Sequence, residues 1–145
     1  MNQSTRRKFL QTTTAAAATV PYFAWSQKSF ANESANDRPQ IGCIGTGSMG
    51  TGDAMGHAQF GDVVAVCDVD TRHAERAKHH DRIGKGKADA YKDYRDVLDR
   101  DDIDVVSIVT PDHWHTKMAI EALQAGKHVF CQKPLTLTLE ENKLI

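Results

Sequence analysis

The sequence of 145 residues predicts an α/β fold, a doubly wound parallel sheet made of alternating strands and helices. Short apolar runs recur along the chain, and continuous runs of this kind are typical of parallel strands buried on both faces. The clearest runs are 41–44, 63–67, 105–109 and 128–131. Polar segments with helical spacing separate them, which is the pattern of a sheet wound with crossover helices.

The first apolar run ends in a glycine motif, Gly45-x-Gly47-x-x-Gly50. In a dinucleotide-binding turn, Gly45 would make the tight bend, Gly47 would let a phosphate approach, and Gly50 would let the helix pack on the strand. The helix that follows would point free N–H groups and its positive end at a pyrophosphate. The motif alone is a weak signal because glycines also cluster in ordinary turns.

The second run strengthens this interpretation, because it ends in an acid, Asp68, 18 residues beyond Gly50. A Rossmann fold needs a carboxylate at about this separation to accept hydrogen bonds from the adenosine ribose. An acid there also repels a 2′-phosphate, so NAD is favoured over NADP. Two observations leave alternatives open: Asp68 could instead cap a helix over 71–82, and Arg72 or His73 could accommodate the phosphate of NADP.

The middle of the chain continues the alternation. A surface helix over 71–82, with Ala74 and Ala77 on its small buried face, is expected to end at Gly84-Lys85-Gly86. A brief run around 90–91 leads to a short helix over 94–98. The strand 105–109 follows, and Thr110-Pro111 stops it because proline supplies no ladder donor.

The last third predicts one helix, one strand and the start of another helix. The helix covers 115–124, with Gly126 as its C-cap and one apolar stripe made of Met118, Ala119, Ala122 and Leu123. The strand 128–131 comes next. Thr138-x-x-Glu141 is a capping box that should open a further helix. Because the sheet still lacks strands at this point, we expect residues 40–145 to be a domain that is incomplete at its C-terminus.

The N-terminus has the pattern of an export signal over residues 1–31. Arg6-Arg7-Lys8 precedes a mildly apolar stretch, 10–25, and small residues ending at Ala31. The apolar stretch is short of the roughly 20 residues that span a bilayer, so an anchor is the weaker interpretation. The consecutive arginines resemble a bacterial twin-arginine signal, which predicts export to the periplasm by the twin-arginine machinery. Residues 32–39 would be a polar tether.

Charge and cysteine usage limit the partners. The chain has 18 basic and 19 acidic residues, and four of the basic ones lie in residues 1–31, which leaves a formal charge of −5 beyond the leader. Such a domain has no general attraction for nucleic acid or anionic membranes. Cys43, Cys67 and Cys131 lie in or at the end of apolar runs, as buried free thiols do. The pair His113-x-His115 is a poor metal site, and no metal is expected.

Five segments together resemble the N-terminal domain of the Gfo/Idh/MocA oxidoreductases. They are the glycine motif at 45–50, Val66-Cys67-Asp68-Val69-Asp70, Thr110-Pro111-Asp112-His113-Trp114-His115, Ala125-Gly126-Lys127-His128-Val129 and Lys133-Pro134. The resemblance covers nearly all of residues 40–145. It implies a Rossmann domain that binds NAD, or less readily NADP, and a second α/β domain that supplies most of the substrate pocket. We expect that second domain, with its catalytic residues, to be absent from this chain.

The resemblance also implies a set of site residues. Cofactor contacts are expected from Gly45, Gly47, Ser48, Met49, Gly50, Asp68, Thr110, Pro111, Trp114, His115 and Gln132. Lys133 would be catalytic, because its ammonium group could hydrogen-bond a substrate hydroxyl and help move its proton, while Pro134 would fix the lysine backbone through a cis bond. Gln132 stands where the family usually has Glu, so its cofactor role is a hypothesis. His115 could instead be a capping or packing residue.

The function expected from these observations is an exported NAD-dependent oxidoreductase that transfers a hydride between the cofactor and a carbinol of a sugar or polyol. One alternative is an NAD-dependent glycoside hydrolase that oxidises the sugar C3 transiently and then eliminates. Another is a non-catalytic protein that retains the cofactor. The full-length protein is expected to be a homo-oligomer.

Overall fold

The computed structural model describes residues 38–145 of the chain. The predicted export signal, 1–31, and most of the predicted tether, 32–39, lie outside the described residues. The last two tether residues belong to the domain: the guanidinium group of Arg38 donates to the carboxylate of Asp62 at 3.0 Å and to the carbonyl of Gly61 at 2.6 Å, and Asp62 N–H donates to Pro39. Arg38 and Pro39 therefore contact the domain that the sequence predicts to start at residue 40.

Five parallel strands form one sheet in the order β3-β2-β1-β4-β5, which confirms the predicted α/β class. The strands are β1 (Gln40–Ile44), β2 (Asp62–Cys67), β3 (Asp89–Tyr91), β4 (Val105–Ile108) and β5 (His128–Cys131). Strands β2 and β3 are added on one side of β1, and the chain then crosses back so that β4 and β5 are added on the other side. Strand β1 therefore lies between β2 and β4. A crevice at the carboxyl ends of β1 and β4 is the usual ligand position in such a sheet.

Four α-helices connect these strands: α1 (Ser48–His57), α2 (Thr71–His79), α3 (Tyr94–Leu98) and α4 (His115–Gln124). Two short 3₁₀ turns, Asp112–Trp114 and Glu141–Lys143, complete the described elements. Among the residues described, no helix has the length and apolar character needed to cross a membrane.

The core consists of two apolar clusters on opposite faces of the sheet. Ala54 of α1 and Ala77 of α2 pack on one face with Cys43 and Val66. On the other face, α3 and α4 bury Val97, Met118 and Ala122 against the following strand residues: Ile44, Ala65, Val106 and Ile108. Both faces of the sheet are thus covered, which explains why its strands read as continuous apolar runs.

Helix α2 is shorter than predicted. It ends at His79 rather than Arg82, because Ile83 turns inward and is 2% exposed in the core. Gly84 then packs on the helix end, where a Cβ atom would lie 2.4 Å from the carbonyl oxygen of Lys78. The chain has to leave the helix early to bury Ile83, and this requirement is not visible in helical periodicity.

Two other predictions differ near the C-terminus. Leu123 was expected on the buried stripe of α4 but is 55% exposed, while His115, Met118, Ala119 and Ala122 form that stripe. The capping box is present, with Thr138 N–H donating to the Glu141 carboxylate and Glu141 N–H donating to Thr138 Oγ1. It opens a 3₁₀ turn, Glu141–Lys143, instead of the predicted α-helix.

Candidate functional site

The carboxyl ends of β1, β2 and β4 meet at one edge of the sheet and enclose a cavity of about 820 Å³. The cavity walls come from four segments: the glycine turn after β1, the end of β2, the loop after β3 and the loop after β4. Its size is in the range of pockets that bind small molecules and cofactors.

The three glycines of the turn are required for different physical reasons. Gly45 has a φ angle of +82°, and a Cβ atom there would lie 2.3 Å from the carbonyl oxygen of Val109. A Cβ atom at Gly50 would lie 1.8 Å from the carbonyl oxygen of Gly45. At Gly47 the space is open, since the nearest atom, His73 Nδ1, is 3.9 Å away. Gly45 and Gly50 thus hold the turn and helix together, and Gly47 leaves room above them.

Helix α1 presents an uncapped N-terminus to this space. Its N-cap residue is Gly47, so no side chain accepts the first N–H groups. The N–H groups of Ser48, Met49 and Gly50 have no intrahelical acceptor, because they belong to the first turn. Ser48 and Met49 are exposed and line the cavity. Free donors and the positive end of the helix dipole at an open glycine fit a phosphate group.

Asp68 lies at the end of β2, next to the glycine turn. Its two carboxylate oxygens accept from Thr46 N–H and Asp70 N–H, each at 2.9 Å. The side chain is 11% exposed and lines the cavity. A carboxylate offers about four lone-pair positions, so two remain for hydroxyl groups of a ligand. Asp68 does not cap α2; that role belongs to Asp70, which accepts from Arg72 N–H.

Asp70 also binds the Arg72 guanidinium group with two bonds, of 3.0 Å from Nε and 2.7 Å from an Nη atom. These hydrogen bonds hold the pKa of the Asp70 carboxyl well below its usual range. Arg72 is therefore paired within its own helix turn. His73 is the other nearby base, and its Nδ1 atom is 3.4 Å from the Asp68 carboxylate.

The loop after β4 supplies the wall next to the glycine turn. Thr110, Pro111 and Trp114 line the cavity, and Trp114 is 39% exposed. His115 was predicted to contact the cofactor, but it is 1% exposed and is not part of the wall. Its ring nitrogens lie 2.8 Å from the carbonyl oxygen of Thr110 and 2.7 Å from that of Pro134. His115 therefore packs beneath the site and joins two of its loops.

Lys133 and Gln132 follow β5 at the same edge of the sheet, but outside the wall of this cavity. Lys133 is exposed, and its peptide bond to Pro134 is cis as predicted. Gln132 was predicted to touch the cofactor. In the structure its amide group donates to Asp53 of α1 at 2.9 Å and accepts from Lys133 N–H at 2.8 Å, so the cofactor contact stays a prediction.

The cysteines are free thiols, and no disulfide joins them. Burial raises the pKa of Cys43 to about 12, and burial, helped by the Asp68 carboxylate, does the same at Cys67. Cys131 is half-buried rather than buried. In the part of the chain that the structure describes, no cluster of three or more His, Cys, Asp or Glu side chains is placed to hold a metal ion.

Sequence reasoning missed two groups of residues. The loop after β3 and the start of α3 form one wall of the cavity: Lys92 and Asp93 lie in the loop, and Tyr94, Arg95 and Asp96 in the first turn of α3. No motif marks this loop, because it reaches the site only through the pairing of β3 with β2. Asp53 was also missed, since an acid in the middle of α1 looks like an ordinary surface residue.

Comparison with known proteins agrees with this geometry. Residues 40–145 match the model of a family described as an oxidoreductase family with an NAD-binding Rossmann fold, Gfo/Idh/MocA. One curated relative, "Glycosyl hydrolase family 109 protein 2" of Shewanella sp. strain ANA-3, is 39% identical over 112 residues, which are 72% of this chain and 25% of the relative. The chain thus spans about a quarter of the length of the curated relatives that it matches.

Two solved structures are also similar. A myo-inositol dehydrogenase from Lactobacillus casei, in complex with NAD(H) and myo-inositol, is 34% identical with a TM-score of 0.66, covering 74% of this chain and 32% of that one. A levoglucosan dehydrogenase in complex with NADH is 32% identical with a TM-score of 0.65, covering 74% of this chain and 30% of the other.

Proposed function

Because the chain belongs to the Gfo/Idh/MocA family of oxidoreductases with an NAD-binding Rossmann fold, we propose that it is the cofactor domain of an enzyme that transfers a hydride between NAD and a carbinol of a sugar or polyol. The observation that carries the proposal is the open Gly47 turn over the uncapped end of α1, with the Asp68 carboxylate beside it on the same cavity.

The residues present fit a nicotinamide dinucleotide. The free N–H groups of Ser48, Met49 and Gly50 would hold the pyrophosphate, and the remaining lone pairs of Asp68 would accept the ribose hydroxyls. Thr110, Pro111 and Trp114 would form the wall beside it. When bound, NAD supplies the hydride acceptor for the reaction.

NAD is the better fit than NADP. A 2′-phosphate would meet the carboxylates of Asp68 and Asp70, and Arg72, one of the bases that could offset them, is bound by Asp70 with two hydrogen bonds. Breaking a bidentate pair of this kind to bind phosphate costs free energy that a ribose hydroxyl does not require.

A sugar or polyol is supported by the similar solved proteins, whose names specify myo-inositol and levoglucosan. Lys133 stands at the carboxyl end of β5 with an exposed ammonium group. It would hydrogen-bond the substrate hydroxyl and take part in moving its proton as the hydride leaves carbon.

A second candidate is hydrolysis of a glycoside through transient oxidation at the sugar C3. The curated relatives favour it, because the relative described above, at 39% identity, is named a glycosyl hydrolase of family 109. Both candidates need the same cofactor site and the same first hydride transfer. They differ in whether the reduced cofactor accumulates.

The test uses the full-length protein, NAD, a panel of free sugars and polyols, and matched glycosides. Net formation of NADH with a free sugar supports the dehydrogenase, and glycosidic cleavage that needs NAD without net NADH supports the hydrolase. In either case Lys133→Ala should lower kcat by about 10²-fold or more, as expected for a group that moves a proton. The exposed Lys87→Ala is the matched control.

If the full-length protein binds NAD but shows neither of these two activities, the proposal is contradicted and the non-catalytic alternative is favoured.

We also propose that residues 1–31 direct export through the twin-arginine route, on the basis of Arg6-Arg7 followed by Phe9-Leu10. Replacing both arginines with lysine should keep the full-length protein in the cytoplasm of a bacterial host. Fractionation with an immunoblot measures this, and an unchanged distribution would contradict export by this route.

A further inference from the structure

The Lys133 side chain makes no hydrogen bond to another group within residues 38–145, so its position depends on how its backbone is held. Lys133 N–H donates to Gln132 Oε1 at 2.8 Å. The same amide donates through Nε2 to Asp53 Oδ2 at 2.9 Å. One side chain therefore links the lysine backbone to an aspartate that is 80 residues earlier in the sequence and lies on α1.

The orientation of this amide is fixed by its two partners. Lys133 N–H can only donate and an ionised Asp53 can only accept, so the amide oxygen must face the lysine and the NH₂ group must face the aspartate. The reversed amide would place oxygen against carboxylate and NH₂ against N–H. The hydrogen bond to an ionised acceptor is also of the stronger kind.

We propose that Asp53 is a positioning residue for Lys133 and acts through the Gln132 amide. The inference rests on the proposed function for its catalytic consequence, since Lys133 is the residue assigned to the substrate hydroxyl. The link from Asp53 to the Lys133 backbone can be tested without any substrate.

A second anchor holds the other side of this turn. His115 contacts the Pro134 carbonyl at 2.7 Å, and Thr116 Oγ1 donates to the Leu135 carbonyl at 3.1 Å. Both come from the start of α4. The turn is therefore fixed between α1 and α4, and Asp53 with Gln132 forms the α1 side of that support.

The arrangement explains why residue 132 is an amide in this chain. In Gln132→Glu, the new carboxylate would face the Asp53 carboxylate at hydrogen-bonding distance, and like charges so close repel. Placing the amide at position 53 and the carboxylate at position 132 restores an amide–carboxylate hydrogen bond. In the double variant Asp53→Asn/Gln132→Glu, the amide on α1 would donate to the carboxylate at position 132, which would still accept from Lys133 N–H. This double variant keeps the same net charge and the same hydrogen bonds.

Three variants of the full-length protein test the link: Asp53→Ala, Gln132→Glu and Asp53→Asn/Gln132→Glu. Asp81→Ala is the control, because Asp81 is an exposed aspartate with no hydrogen bond to its side chain among the described residues. The first measurement is amide hydrogen exchange at Lys133, which needs neither cofactor nor substrate. The second is kcat, together with the Kd of NADH.

We expect exchange at Lys133 to accelerate by about tenfold in Asp53→Ala and in Gln132→Glu, the size expected when a hydrogen bond to a charged group is lost. In the double variant the exchange rate should return to within about threefold of the parent value, since neighbouring substitutions of this kind couple. The kcat value should follow the same order, while the Kd of NADH changes little. Asp81→Ala should change neither.

Unchanged exchange at Lys133 in Asp53→Ala, or no recovery in the double variant, would overturn the link. Recovered exchange with kcat unaffected in all variants would show that Asp53 is merely structural, which also overturns the proposal. If the parent enzyme transfers no hydride to any carbinol, the proposed function fails, and the exchange measurement still decides whether Asp53 holds Lys133.

Discussion

At the scale of single residues, the glycine turn is set by what a side chain would strike. Gly50 touches the Gly45 carbonyl so closely that a Cβ atom would lie 1.8 Å from its oxygen. At Gly52, two residues further along α1, a Cβ atom would meet no heavy atom within 4 Å apart from the backbone of its own helix. The same residue type is thus obligatory at one position of the helix and optional two positions later.

Gly50→Ala should therefore push α1 away from β1. We expect the free energy of unfolding to fall by about 2–4 kcal/mol, the range for strong steric overlap with backbone, and NAD binding to weaken because the donors move with the helix. Urea denaturation followed by circular dichroism measures the first effect, and calorimetry measures the second.

Gly52→Ala is the matched control for this prediction. It should raise stability by up to about 1 kcal/mol, because alanine favours a helix interior over glycine. Equal effects of Gly50→Ala and Gly52→Ala would contradict the account of the turn.

The buried thiols give a second residue-scale prediction. Burial raises the pKa of Cys43 and of Cys67 to about 12, so at pH 8 both are thiols and not the reactive thiolates. Iodoacetamide should label these two positions in the folded protein far more slowly than in urea, with Cys131 labelled first because it is half-buried. Peptide mass spectrometry reads the order, and rapid labelling of Cys67 in the native protein would contradict it.

Sequence reasoning identified the residues of the turn but not the partners of some polar side chains. Gly45, Gly47, Gly50 and Asp68 follow from local spacing and chain order. His115 and Gln132 were predicted to contact the cofactor, and the structure shows that their side chains also hydrogen-bond within the protein, to Pro134 and to Asp53. Those partners, Pro134 and Asp53, are brought near by packing between elements, which no motif records.

At the scale of elements, strands were easier to predict than helix ends. The strand 128–131 and the helix 115–124 have the predicted bounds because apolar periodicity and Gly126 define them; Gly126, at a φ of +76°, follows the C-cap Ala125. Helix α2 was overextended, since the inward turn at Ile83 depends on a core that the sequence does not display. The capping box formed as predicted but opened a shorter element.

Helices α3 and α4 are joined through Glu121, which accepts from Tyr94 Oη and pairs with Lys117. The hydrogen bond from Lys117, followed by that from Tyr94, lowers the pKa of Glu121 below the usual value of 4.5. A lowered pKa means that the contact stabilises the fold above the unfolded-state pKa and is lost as the pH falls through the folded-state value.

Glu121→Gln should thus lower the free energy of unfolding at pH 7 by about 1 kcal/mol, a modest value because the side chain is 31% exposed. The difference between parent and variant should shrink as the pH falls below 4.5. Denaturant titrations at pH 7 and pH 3 measure this, and an equal difference at both pH values would contradict the assignment.

At the scale of the whole molecule, the strand order brings segments that are far apart in the sequence to one cavity. The order β3-β2-β1-β4-β5 brings the carboxyl ends of β1, β2 and β4 to one cavity and puts the end of β5 beside them. The fold class followed from the alternation of apolar runs, and the comparisons confirm the family. The loop after β3 joins the site only through this order, so it could not be predicted from its own sequence.

The measurement that most directly tests the account is calorimetric titration of the full-length protein with NAD and, separately, with NADP. The free donors at α1, the Asp68 carboxylate and the paired Arg72 predict saturable binding of one NAD per chain and binding of NADP that is weaker by about tenfold or more. No heat of binding with NAD, or tighter binding of NADP, would contradict the site described here.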